Sequence, residues 1–318
     1  MRTSRQLVEA VANAVLYEGY LLYPYRRSAV KNQVRWTFGL VHPRGWSEAT
    51  GGTEPWDLEA GCLLRTEACC RLQVSVRFLH LLQRSGPEGS WQEASERTVE
   101  ARDLELRELL QRPVELPIRA PAAVHEQDGV RREWRALEGV VEVEARPLPV
   151  ADGVGLRVRV ANTTVLEDAG TLRRDQVLPF TLASAHAVLW VESGAFLSAA
   201  DPPPELRAAA DALPRRGWWP VLVGEPGTGD CLLLSPIILE DHPRVAEESP
   251  GDLFDATEID ELLTLRILTL SEAEKEELRR GDERARRLLE RTESLTPTEL
   301  MRLHGAVREL RIRRGWER

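Results

Sequence analysis

The first apolar pattern in the chain is helical. From Leu7 to Val15 the apolar residues fall on one face of a 3.6-residue period, and Thr3 and Gln6 have capping-box spacing just before them. Gly19 is a typical residue for the helix end, because glycine adopts the left-handed conformation without strain. The pattern therefore predicts an N-terminal helix that ends near residue 19.

From about residue 60 to residue 200, apolar residues alternate with polar ones instead. Clear examples are residues 72–78, 141–144 and 156–160. Alternation with a period of two is typical of half-buried strands. Because no helical pattern separates these segments, they favour an antiparallel β-sandwich or open barrel over a parallel sheet. A further hairpin is predicted over residues 218–239, around the glycine-rich turn at 224–230.

Helix-start signals dominate the last part of the chain. They are Asp255 with Glu258, Ser271 with Glu274, Asp282, and Thr296 with Pro297 and Glu299. We therefore expect an α+β protein, with an antiparallel β-sandwich-like core, an N-terminal helix and a C-terminal helical tail. The predicted regions are residues 1–60 (helix, Tyr/Arg-rich segment and long loop), 61–250 (β core with the hairpin) and 251–318 (helices).

Composition narrows the class of protein. The chain has 318 residues, of which 42% are hydrophobic and 29% charged, and its formal net charge is -9. These values exclude collagen-like and disulfide-scaffold proteins, and they argue against a chain that coats nucleic acid through bulk positive charge. No apolar run approaches the ~20 residues that a bilayer span needs, and no targeting segment is evident. We expect a cytoplasmic protein without a membrane span.

The short motifs that usually carry chemistry are incomplete. The stretch 224–231 resembles a phosphate loop, but Asp230 and Cys231 stand where that loop needs a lysine and a hydroxyl residue. The six histidines are scattered and the four cysteines form no CxxC pair, so neither type has metal-ligand spacing. Cys69 and Cys70 lie in an alternating run and are expected to be reduced, buried thiols. No catalytic residue, cofactor or metal site is predicted.

The clearest functional signal is a segment rich in tyrosine and arginine. All four tyrosines of the chain lie within nine residues, and residues 1–40 carry six bases against two acids although the whole chain is acidic. Tyrosine and arginine are typical anchors of protein interfaces. We therefore predict that the following residues bind a protein partner: Tyr17, Tyr20, Tyr23, Tyr25, Arg26, Arg27, Lys31 and Arg35.

Other interpretations of the same segment stay open. The tyrosines would also suit packing of the helix onto the sheet, with their hydroxyl groups at the rim. Tyrosine and arginine would equally suit stacking on bases and contact with phosphate, which describes a binder of nucleic acid or of a phosphorylated ligand. The net negative charge disfavours nucleic acid as the partner. An enzyme whose site has no recognisable short motif is the remaining alternative.

Two stretches of the chain resemble an uncharacterised bacterial protein family. They are YEGYLLYPYR at residues 17–26, together with Lys31, Asn32 and residues 36–39, and DLFDATEIDELLTLR at residues 252–266. Genes of that family lie near actinobacterial-type nickel–iron uptake hydrogenases. The resemblance implies a non-enzymatic accessory, assembly or scaffold protein whose partner is a hydrogenase subunit or maturation factor. It carries over no catalytic residues.

Overall fold

The chain divides into two compact units. The computed structural model describes residues 4–20, 25, 38–87, 89–149, 153–245, 260–281 and 283–303. The first unit comprises residues 1–20 and 34–245 and contains an N-terminal helix and one large β-sheet. The second comprises residues 21–33 and 246–318 and contains the C-terminal helices. The predicted α+β class is therefore confirmed.

Eleven strands form the sheet of the first unit, and all their pairings are antiparallel. The central path runs in the order β10-β11-β8-β1-β7-β6-β3, while β2, β5 and β9 also pair with β1, and β4 pairs with β5. The strands are β1 (Asp57–Gly86), β2 (Gly89–Glu105), β3 (Val114–Ala120), β4 (Ala123–Gln127), β5 (Val130–Trp134), β6 (Leu137–Pro147), β7 (Gly153–Asn162), β8 (Leu182–Leu197), β9 (Arg215–Arg216), β10 (Trp219–Leu222) and β11 (Cys231–Ser235).

The sheet is antiparallel, as predicted, but it is curled into a half-barrel. The prediction of a sandwich-like core is therefore wrong, and the open barrel predicted as its alternative is closer to the structure. The strand that makes the sheet differ from a sandwich is β1, which has 30 residues and pairs with β7, β8, β2 and β5. Its register against β8 shifts between Thr66 and Arg71 and again between Arg77 and Leu79. Because bulges bend a strand and increase its twist, one long strand can serve both ends of a sheet that curls around its own core.

The main core fills the inside of this curl. It consists of alternate residues of β1, β6, β7, β8 and β11, with the aromatic side chains Phe78, Phe196 and Trp218 among them. The Trp218 indole nitrogen donates to the Ala185 carbonyl at 2.8 Å. Trp219, its neighbour, packs against a different cluster. The two adjacent tryptophans therefore pack against two separate clusters.

Short helices accompany the sheet, and the described residues of the second unit contain four helices. In the first unit they are α1 (Ser4–Tyr17), α2 (Arg44–Ala49), α3 (Leu106–Leu109), α4 (Arg174–Val177) and α5 (Arg207–Ala212); in the second they are α6 (Asp260–Leu268), α7 (Glu272–Arg279), α8 (Glu283–Glu293) and α9 (Pro297–Arg302). Within the ranges that the structure describes, none of the helices has the length and hydrophobicity that a bilayer crossing requires.

Several local predictions are confirmed. The N-terminal helix ends just before Gly19, whose φ is +70°. Ser271 with Glu274, and Thr296 with Glu299, form the capping boxes of α7 and α9. The turn at 224–230 joins the antiparallel strands β10 and β11. The predicted helix starts at Asp255, Glu258 and Asp282 lie outside the described residues.

Candidate functional site

Helix α1 carries the start of the predicted partner-binding segment, and its apolar face seats it on the sheet. The stripe formed by Val8, Val11, Ala12 and Val15 is buried in one cluster with residues of β8, β10, β11 and the turn after β10. The cluster partners on the sheet are Val188, Val221, Val223, Cys231 and Leu233. Hydrophobic burial therefore determines where the helix lies on the outer face of the half-barrel.

A polar cluster secures the opposite side of the same helix. Arg77 of β1 is only 13% exposed, and its guanidinium donates to Asn13 Oδ1 at 2.7 Å and to Glu9 Oε2 at 3.3 Å. The same guanidinium lies 3.6 Å from Glu96 Oε2 on β2. Tyr17 donates its hydroxyl hydrogen to the other oxygen of Glu96. One arginine thus connects two turns of α1 to two strands, and Tyr17 extends this network to the last residue of the helix.

The described tyrosines of the predicted site are buried within the chain. Tyr17, Tyr20 and Tyr25 are 3%, 2% and 1% exposed. The rings of Tyr17 and Tyr20 contact each other edge to face, with centroids 5.5 Å apart. Tyr25 has a φ of +62°, in the left-handed region that a bulky residue rarely adopts. These three side chains therefore have a packing role in the chain, which is one of the interpretations that the sequence leaves open.

The other predicted partner-binding residues lie outside the described part of the chain. They are Tyr23, Arg26, Arg27, Lys31 and Arg35. Their contact with a partner stays a prediction from the sequence.

Elsewhere on the outer face, charged side chains form a ladder in which acids and arginines alternate from strand to strand. Arg159 of β7 lies between Asp57 of β1, at 2.7 Å, and Glu142 of β6, at 2.8 Å. Arg216 of β9 contacts Asp57 at 2.6 Å and Glu59 at 2.9 Å. Each of these guanidinium groups has carboxylate partners, so this ladder stabilises the sheet and leaves no unbalanced positive charge for an anionic ligand.

Three histidines are fully buried, and burial lowers the pKa of His42, His80 and His186 to about 4 each. For His186 the burial effect is opposed by a hydrogen bond to the Ser184 carbonyl at 3.0 Å and is reinforced by the charge of Arg77. The other nitrogen of His186 has no hydrogen-bond partner among the described residues. All three rings are therefore neutral at neutral pH.

His42 is the centre of an arrangement that resembles a hydrolytic triad in its residue types. Its Nδ1 lies 3.0 Å from Thr181 Oγ1, and its Nε2 lies 3.3 Å from Glu54 Oε2. Thr181 is fully buried, however, and its hydroxyl donates to the Val177 carbonyl at 3.1 Å. A nucleophile must reach a substrate, so this hydroxyl has the position of a structural group rather than a catalytic one.

A surface cavity that the sequence analysis missed contains the two adjacent cysteines. The cavity has a volume of about 510 Å³ and is lined by Thr66, Cys69, Cys70, Arg71, Glu105, Leu106, Arg107 and Leu110. All four cysteines are free, and Cys69 is exposed whereas Cys70 is buried. The expectation of buried thiols is therefore wrong for Cys69. A strand-like alternation at residues 69 and 70 gives no signal for the bulge that exposes it.

No group of three or more histidine, cysteine or acidic side chains in the described residues is placed to hold a metal ion. No protein-family model matches the chain, and no curated protein matches it in sequence. A functional proposal therefore depends on the residues themselves, above all on the charge of the N-terminal segment and on how the described part of that segment is anchored.

Proposed function

We propose that the protein is a non-enzymatic accessory or assembly protein that docks a protein partner through residues 17–36. The observation that carries this proposal is the charge of residues 26–35. This run contains Arg26, Arg27, Lys31 and Arg35 and no acidic residue, in a chain whose net charge is -9. A local reversal of charge favours the encounter with an acidic partner surface and disfavours wrong partners.

The buried tyrosines support the proposal in a different way from the one the sequence suggests. Tyr17 is anchored by its hydroxyl to Glu96 and by its ring to Tyr20. Tyr17 and Tyr20, which precede the basic run in the sequence, are therefore held within the first unit. Anchoring one end of a binding segment reduces the conformational entropy lost when it binds. In this proposal the tyrosines position the segment, and the basic side chains contact the partner.

The chemistry of the segment points to a partner with exposed carboxylates. Arginine pairs with carboxylates through two parallel hydrogen bonds, which gives both affinity and orientation. The family resemblance indicates a nickel–iron hydrogenase subunit or a hydrogenase maturation factor as the first partner to test. Such a partner would place the protein in hydrogenase assembly.

The test is a binding measurement with purified hydrogenase subunits and maturation factors from an organism that encodes this chain. The variant replaces Arg26, Arg27, Lys31 and Arg35 by alanine. A matched control replaces four exposed arginines outside the segment by alanine, so that both variants lose the same charge; they are Arg112, Arg119, Arg146 and Arg173. We expect the first variant to weaken binding at least tenfold, and the control to change it less than threefold.

Three results would contradict the proposal. One is that none of the subunits or factors binds. Another is that both variants weaken binding equally, which would mean that only the net charge matters. A third is salt-dependent binding of a single-stranded oligonucleotide that the segment variant abolishes, because that result would favour the nucleic-acid alternative.

A further inference from the structure

Where β1 pairs with both β2 and β5, the sheet holds a cluster of positive charge that the proposed docking role does not use. We propose that Arg84 and Arg132 form a binding site for the carboxylate of a small organic acid. The site belongs to the first unit and lies outside residues 17–36, so it can be tested independently of the proposed function.

Two arginines face each other across neighbouring strands. Arg84 of β1 is opposite Arg132 of β5, and on its other side it is opposite Trp91 of β2. The residue beyond Arg132 in the same row is His125 of β4. None of these register partners of the two arginines is an acid. Because like charges directly opposite each other destabilise a sheet, an anion between the two guanidinium groups stabilises this row.

A single carboxylate of the chain balances only half of this charge. Glu93 of β2 contacts Arg84 Nε through Oε1 at 3.3 Å and Arg132 Nε through Oε2 at 2.9 Å. Both oxygens of Glu93 are thus engaged, and two arginines with one glutamate keep a formal charge of +1. The side chains of Arg84 and Glu93 are only 12% and 15% exposed. Water and salt therefore screen the surplus charge weakly.

The two guanidinium groups have hydrogen-bond donors left for a second anion. Arg84 Nη1 is buried and has no hydrogen-bond partner among the described residues. Arg132 donates to Glu93 through Nε, and its two terminal nitrogens donate no hydrogen bond within the part of the chain that the structure describes. A buried donor without a partner is unfavourable. A carboxylate has two acceptor oxygens, so one bound carboxylate can accept from both arginines.

Two tryptophans flank the arginines and suit an organic body behind the carboxylate. The Arg84 guanidinium lies over the ring of Trp91, 3.8 Å from its centroid, and this stacking restricts its orientation. Trp134 lies two residues beyond Arg132 on β5, and its indole nitrogen donates to Ser95 Oγ at 2.8 Å. The hydrogen bond fixes this ring, which is half-buried. An aromatic acid would therefore place its carboxylate at the arginines and its ring against Trp134.

The size of the surplus charge favours a carboxylate over a phosphate. A phosphate monoester carries a charge of about −1.5 to −2 at neutral pH, which exceeds the +1 of the site. The excess negative charge would lie next to Glu93, which already contacts both arginines. A carboxylate carries one negative charge and matches the surplus.

The neighbouring arginine of β5 provides an internal comparison. Arg131 lies on the opposite face of the sheet from Arg132, because successive residues of a strand alternate between faces. Its guanidinium contacts Glu126 at 2.8 Å and Glu133 at 3.3 Å. Two carboxylates thus surround one arginine on that face, whereas two arginines share one carboxylate at the proposed site. Arg131 has no surplus positive charge for a ligand.

The experiment measures the binding of benzoate, of neutral benzamide and of inorganic phosphate to the full-length protein by calorimetry at constant ionic strength. We expect benzoate to bind at least about tenfold more tightly than benzamide, the factor that one charge-assisted hydrogen bond supplies. Arg132→Gln should remove this preference, and because Arg132 is 34% exposed the variant should stay folded. The matched control Arg131→Gln should change the affinity for benzoate less than about twofold.

Glu93→Gln separates ligand binding from a purely structural role of the cluster. This variant raises the surplus charge from +1 to +2, so benzoate should bind more tightly, whereas damage to the fold would weaken binding. The proposal is overturned if benzoate binds no more tightly than benzamide, or if Arg132→Gln and Arg131→Gln behave alike. It is also overturned if Glu93→Gln weakens the binding of benzoate, or if the native protein binds phosphate more tightly than benzoate.

Discussion

Tyr17 stabilises the chain through both its ring and its hydroxyl, and the two contributions can be separated. Tyr17→Phe keeps the buried ring and removes the hydrogen bond to Glu96. Because Glu96 is 46% exposed and can bind water instead, we expect a loss of only about 1 kcal/mol in the free energy of unfolding. Tyr17→Ala also removes the ring from a 3% exposed position, which should cost about 3 kcal/mol or more.

Urea unfolding of the two variants is the measurement for Tyr17. The exposed Val124→Ala is the control, and it should change the free energy of unfolding by less than ~0.5 kcal/mol. If Tyr17→Phe lowers the free energy of unfolding as much as Tyr17→Ala does, the two contributions of Tyr17 are not separable as described. If Tyr17→Ala leaves the free energy of unfolding unchanged, the ring has no stabilising role. Either result would also weaken the proposal that tyrosines position the basic run.

At the scale of elements, α1 depends on the sheet for its stability. It has 14 residues, a length at which an isolated helix is only marginally stable in water. Arg77→Ala removes the contacts to Glu9 and Asn13 at once. We expect local opening of α1 to become easier by about 1–2 kcal/mol, so its amides should exchange hydrogen roughly tenfold faster. Native-state hydrogen exchange of the peptides from residues 4–17 measures this.

Arg84→Ala is the matched control for the helix. Arg84 lies on the same strand, is 12% exposed and pairs with Glu93 of β2 at 3.3 Å. Its loss should accelerate exchange in β1 and β2 but not in α1. If both variants accelerate exchange in α1 equally, the loosening is global, and the specific role of Arg77 in holding the helix is wrong.

The elements that could be predicted from the sequence are those whose signals are local. The caps at Ser271 and Thr296 use contacts three residues away, and Gly19 ends α1 through its own backbone freedom. The curl of the sheet depends on register shifts in β1 against β8, which are contacts between distant parts of the chain. One of these register shifts, the bulge between Thr66 and Arg71, also exposes Cys69. Alternation along a strand does not show where a bulge lies, so neither the curl of the sheet nor the cavity at Cys69 could be predicted from the sequence.

At the scale of the whole molecule, the three buried histidines couple folding to pH. In the unfolded chain a histidine has a pKa of ~6.5, whereas burial lowers the folded value to about 4 for His42, His80 and His186. Arg174 further lowers the pKa of His42 while Glu54 raises it, and Arg97 and Arg77 lower those of His80 and His186. Between these two pKa values the unfolded state binds more protons than the folded state, so lowering the pH favours unfolding.

We therefore expect the free energy of unfolding to be highest above pH ~6.5 and to fall steadily down to pH ~4. Each histidine contributes up to ~1.4 kcal/mol per pH unit and about 3 kcal/mol in total. Urea unfolding at pH 7, 6 and 5 tests this in a range above the ordinary pKa values of carboxylates.

In His186→Phe, the slope of the free energy of unfolding against pH should be about a third smaller, because the variant removes one of three titrating groups. The exposed His125→Gln should keep the full slope. A free energy that stays constant from pH 7 to pH 5 would show that the three rings do not stay neutral in the folded state, and an equal slope in both variants would exclude His186 as a contributor.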